Sequence, residues 1–131
     1  MAMWTFSVIA QGAAASLMMQ ISDSEQLGFE CSAKGVSVFA KLQSGMELEE
    51  KSKELELSIG GTKLKLSTIY MLETGPPLWV GDFESADKIL ALLKHSDKLE
   101  VMVPSRAFST QLDSTKTTEF IAACTKLAAG E

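Results

Sequence analysis

The stretch that most constrains the fold is Glu54-Leu55-Glu56-Leu57-Ser58-Ile59-Gly60-Gly61-Thr62-Lys63-Leu64-Lys65-Leu66-Ser67. Two runs of strict alternation meet at Gly60-Gly61. A strand turns every second side chain to the same face, so Leu55, Leu57 and Ile59 share one side. Gly-Gly tolerates the positive φ angles of a two-residue hairpin turn. With that loop, Ile59 pairs with Thr62, Leu57 with Leu64 and Leu55 with Leu66. On the other face Ser58 meets Lys63 and Glu56 meets Lys65. One register therefore places leucines together and opposite charges together, and a slip of one residue would spoil both. The stretch predicts a hairpin with one buried and one wet face. It specifies architecture, not activity.

Alternation continues on both sides of this hairpin. Trp4 to Ala10 and Ala15 to Ile21 read as paired strands around Gln11-Gly12-Ala13. A helix over residues 13–21 competes, because Ala, Leu and Met favour helices, but the alternation favours the strand. Both strands are apolar on more than one side, so the pair is expected to be partly covered on both faces. Leu27-Gly28-Phe29-Glu30-Cys31 and Val36 to Leu42 form a further hairpin, with Cys31 inward near its turn. Met46 to Lys53 is the most charged stretch and reads as one or two helical turns or an exposed excursion with a solvated face. The strand after Gly61 is expected to run on through Leu72, until Gly75-Pro76-Pro77 ends it. Leu78 to Phe83 is extended again.

Two helices follow. Ser85 is a good N-cap for a helix over Ala86 to His95, whose Ile89, Leu90, Leu92 and Leu93 form one apolar stripe. Strands at Leu99–Val103 and Phe108–Leu112 lead to a last helix capped by Asp113, Ser114 or Thr115. Phe120, Ile121, Cys124, Leu127 and Ala128 share one face of it. The expected fold is therefore α+β in one domain over residues 1–131: a mostly antiparallel sheet, as a sandwich or open barrel, with two packed helices.

Composition narrows the function classes. The net charge is −5, with one arginine (Arg106) and scattered lysines. A nucleic-acid binder would carry a basic patch, and none is visible. Residues 3–21 lack the basic start of a signal peptide, since the first lysine is Lys34. Gln11, Gly12 and Gln20 make the same run a poor membrane span. It reads as folded structure, and a leader for an exported protein would have been removed or lie upstream.

Candidate chemistry is sparse, and the sequence supplies no catalytic set, no cofactor motif and no metal-ligand spacing. His95 ends a helix, where the dipole favours a cation and a capping role. Glu54 and Glu56 face the lysines of the next strand, so they read as cross-strand partners rather than as a catalytic pair. Trp79, after the Pro-rich bend, either anchors that loop to the core or lines a recognition groove with Arg106 as an anion partner. The seven methionines read as core filling. Cys31 and Cys124 both take inward positions, either as two reduced core thiols or as a disulfide. The bond would imply an oxidising compartment.

The order of these elements resembles a known family. A Trp-containing first strand (Trp4), Leu27-Gly28-Phe29-Glu30-Cys31, central hairpins, a helix feeding a strand, Phe108 to Leu112 and then a helix carrying Cys124 are similar to small exported β-rich proteobacterial proteins of the invasion-associated locus B type. The chain departs from them in having no N-terminal cysteine pair. The resemblance implies an antiparallel sandwich or barrel, an envelope location and a non-catalytic role. The leading expectation is thus a non-enzymatic binding or accessory module of the bacterial cell envelope. The alternative is a small hydrolase or ligand-binding enzyme with a pocket near Trp79 and Arg106. It would bring at least two of His95, Arg106, Asp82 and Asp97 into one cleft. The partner is a protein or small molecule of unspecified identity, or a second copy paired through strand edges. The location is periplasmic or secreted with the disulfide and resemblance, and cytoplasmic without them.

Overall fold

The structure, a computed structural model, describes residues 3–42, 55–66, 68–70, 77–83, 86–103 and 106–130. The charged stretch Met46 to Lys53 and the expected cap Ser85 lie outside these residues.

The chain begins with four strands in a meander: β1 (Met3–Ile9), β2 (Ala14–Gln20), β3 (Gln26–Ser32) and β4 (Gly35–Lys41). Within the run 13–21, where a helix competed, Ala14–Gln20 is strand. The hairpin follows as β5 (Leu55–Ile59) and β6 (Thr62–Leu66), in the register expected from sequence. Gly60 and Gly61 sit at φ 57 and 90, the left-handed conformation that this turn requires. Leu55, Leu57, Ile59 and Leu66 are wholly buried on the inner face. On the wet face Glu56 stands opposite Lys65, and it also forms a diagonal ion pair with Lys63 at 3.6 Å.

The continuation beyond Leu66 behaves differently from the expected single long strand. β7 (Thr68–Tyr70) starts after one intervening residue but pairs with β8 (Leu78–Phe83), not with the hairpin. The chain therefore changes sheets between β6 and β7. Such corners are how two sheets share one core. After β8 come helix α1 (Ala86–Lys94), β9 (Lys98–Val103), β10 (Arg106–Gln111) and helix α2 (Ser114–Ala128).

Among the described residues there are two antiparallel sheets. One has six strands in the order β1-β2-β3-β4-β8-β7, and the other has four in the order β10-β9-β5-β6. They are joined at the β6–β7 corner and do not form a closed barrel. Across from that corner, the Trp4 indole Nε1 donates to the Gln111 carbonyl at 2.9 Å and ties β1 to the end of β10. The fold is α+β, as the alternation and the two helical stripes required.

One apolar cluster takes side chains from both sheets and both helices. Leu17, Phe29 and Val38 form a cross-strand row of fully buried residues in its middle. Burying each such side chain stabilises the fold by about 1.5–3 kcal/mol relative to exposure. Helix α2 lies on β1, β2 and β3, and α1 packs beside it. Phe120 brings α2 onto Phe29, with ring centroids 6.4 Å apart, and Phe29 stacks on Trp4 at 6.5 Å. Cys124, one helical turn further on, is bonded to Cys31 of β3. Sequence alone left bond or free thiols open; the fold makes it a disulfide, with the Cα atoms 5.7 Å apart.

The opposite face of the six-stranded sheet carries the row Thr5, Met18, Gly28, Phe39 and Val80. Met18, Phe39 and Val80 are half-buried and Thr5 is exposed. The expected partial covering of β1 and β2 holds on both faces: on the helix side Trp4, Ala15, Leu17 and Met19 are buried, Phe6 is half-buried and Val8 is exposed.

Candidate functional site

The sequence-derived candidates do not meet in one place. Trp79 is wholly buried in β8, opposite Ala40 of β4. Its indole N–H has no hydrogen-bond partner. Arg106 opens β10, opposite Val103, and its side chain lies outside the described ones. Asp82 accepts a hydrogen bond from Ser37 at 2.6 Å on the exposed face of the six-stranded sheet. His95 is exposed at the end of α1, where its backbone N–H closes the last turn on Ala91. Of these groups, Asp97 alone borders the cleft described next. Among the described residues, no three His, Cys, Asp or Glu side chains gather as a metal site would need. No helix there is long and apolar enough to cross a membrane.

The cleft that the sequence reading missed lies between the end of α1 and the start of α2. Asp113 caps α2 by accepting the Lys116 N–H at 3.0 Å, and its extended backbone turns the chain out of β10 into the helix. The Leu112 N–H donates to the Asp97 carbonyl at 2.9 Å, holding the two connections side by side. From there Ser114, Thr117, Thr118, Ile121 and Ala122 follow at i, i+3, i+4, i+7 and i+8, one flank of the helix. Facing them are Leu93 and Lys94 of α1 and the connecting Ser96 and Asp97. The space between is about 340 Å³.

Thr117 is the unusual member. It is 5% exposed, and its hydroxyl has no partner. Thr118 and Thr125 in the same helix donate their hydroxyls to carbonyls one turn back, Ser114 at 2.7 Å and Ile121 at 2.8 Å. Thr117 forgoes that bond. Its N–H is satisfied on the Asp113 carbonyl, but its Oγ1 is not. A buried hydroxyl left unsatisfied costs about 1–3 kcal/mol.

Two other recesses are present. One, about 440 Å³, lies on the opposite flank of α2 and is bordered by Phe6, Val8 and Leu127. The other, about 380 Å³, lies on the wet face of the four-stranded sheet, between Glu56, Lys63 and Met102. Neither lining includes Thr117 or Trp79, whose side chains hold the buried unpartnered polar atoms among the described residues. The signal for the α1–α2 cleft was present as the spacing 114, 117, 118, 121, 122, but spacing cannot show that a hydroxyl lacks a partner.

Comparison with family models, curated proteins and solved structures gives no match for this chain.

Proposed function

We propose that this protein is a non-enzymatic binding or accessory module that works in an oxidising compartment, the periplasm or the outside of the cell. The single observation that carries the reading is the Cys31–Cys124 disulfide. Both residues are almost wholly buried, at 2% and 1% exposure, and the bond joins the last helix to the third strand. Disulfides persist where the surroundings are oxidising and are rare in reducing ones. The resemblance of the sequence to small exported proteins of the invasion-associated locus B type supports the same reading. The binding role is supported by a cleft bounded mostly by apolar and hydroxyl side chains, into which Asp97 enters without His95.

The test is differential alkylation in the cells that make the protein. Cells are quenched in acid, free thiols are blocked under denaturing conditions that expose both cysteines, and a heavier reagent then labels the thiols freed by reduction. The reading expects both Cys31 and Cys124 to carry the heavier label. Light label on both would overturn the compartment assignment. Incubation of the oxidised protein with chromogenic esters, phosphate esters and glycosides tests the other half. Turnover that is lost on unfolding would contradict a non-enzymatic role.

A further inference from the structure

We infer that the cleft between α1 and α2 binds a small uncharged organic molecule with an apolar body and one hydroxyl or carbonyl group, recognised by Thr117. The inference rests on the binding-module reading and names its site and ligand class. Size comes first. About 340 Å³ is at the lower end of the range, about 300–1,000 Å³, that holds small ligands. The apolar wall is Leu93, Leu112, Ile121 and Ala122, drawn from both helices and the β10–α2 connection. This wall would take the ligand's apolar body.

The hydrogen-bonding group is Thr117. In the structure Oγ1 is sealed from the cleft and the rest of the side chain lines it, but threonine in a helix divides between two χ1 rotamers. The side chain that lines the cleft can therefore present Oγ1 to an occupant. A bound hydroxyl or carbonyl would give that hydroxyl a partner.

Charge selects against ionised ligands. Lys94 and Asp97 border the cleft, one of each sign. The start of α2, which would otherwise attract an anion, is already served by the Asp113 carboxylate. An ion would have to leave water for a lining with one charge of each sign, a desolvation cost that a neutral molecule does not carry.

The test is amide chemical-shift titration of the oxidised full-length chain with benzyl alcohol, with benzoate and benzylamine as charged counterparts. The expected shifts cluster at Leu93–Asp97 and Leu112–Ala122, with a Kd on the order of 1 mM for so small a probe. Benzyl alcohol should bind more tightly than either ion. Thr117→Val, which keeps shape and removes the hydroxyl, should weaken binding by about 2- to 10-fold. Ala122→Trp, a change at an exposed helix position, should fill the space and abolish the shifts. No saturable shift in this region, tighter binding of benzoate or benzylamine, or unchanged affinity in Thr117→Val would each overturn the inference. A parallel titration with benzyl acetate separates the two claims. Release of acetate would sink the non-enzymatic reading while leaving occupancy of the cleft standing. Binding mapped elsewhere would sink the cleft and leave the module reading intact.

Discussion

A methyl group at Gly28 would stand 2.8 Å from the Leu17 carbonyl oxygen and 2.7 Å from Cζ of Phe39. The ring of Phe39 crosses the bare backbone of β3, and the neighbouring strand approaches from the other side. Gly28→Ala must move backbone as well as ring, so it should destabilise by about 1–3 kcal/mol, read as a lower urea midpoint with unchanged slope. An unchanged midpoint would show that the contact gives way freely. Thr117→Val should do the reverse. It removes an unpartnered buried hydroxyl while keeping a β-branched side chain of similar helix propensity, so it should stabilise by about 1 kcal/mol. Loss of stability would mean that the hydroxyl is satisfied in solution. The stabilised variant is also the one expected to bind less well, the usual opposition between stability and function. Neither residue drew attention in the sequence. Gly28 was one outward position in an alternating run, and Thr117 was one of several threonines in a helix. What sets them apart is what surrounds them, which pattern alone does not encode.

The elements themselves were far more legible. The Gly60-Gly61 hairpin was readable to the residue because two independent patterns, leucine with leucine and acid with base, demand one register. Gly60→Ala places a non-glycine residue at φ 57 and brings its methyl against Ser96 Oγ. The serine can swing away, so the backbone cost dominates, about 1–2 kcal/mol, measurable by thermal unfolding. The cap of α2 was narrowed to three candidates and falls to Asp113. Asp113→Ala should cost about 1 kcal/mol and loosen the first turn, seen as faster amide exchange at Lys116. The change of sheet between β6 and β7 was not legible. Alternation runs through both strands, and nothing in a period of two says which neighbour a strand will choose. Trp79 shows the same limit. A Trp after a Pro-rich bend fits a groove or a core equally well by sequence, and only the pairing of β8 between β4 and β7 buries it.

At the scale of the whole molecule, the two sheets and two helices of the described residues share one apolar cluster, and the disulfide spans it. Sequence placed both cysteines on inward faces, but not beside each other, because their separation of 93 residues is closed only when α2 lies across β1, β2 and β3. The bond does more than add a contact. It limits how far α2 can leave the sheet, and the same helix forms one wall of the ligand cleft and the buried Phe120–Phe29 pair. A closed loop of this length should stabilise the folded chain by about 4–5 kcal/mol in the chain-entropy model, a large share of a domain's total. Loss of the bond should therefore remove a large part of that margin and raise the unfolded fraction by about three orders of magnitude. Equilibrium urea unfolding of the oxidised chain against Cys31→Ala/Cys124→Ala tests this most directly. The double variant should lose about 4–5 kcal/mol of stability. A difference below about 1 kcal/mol would contradict a fold held by that bond.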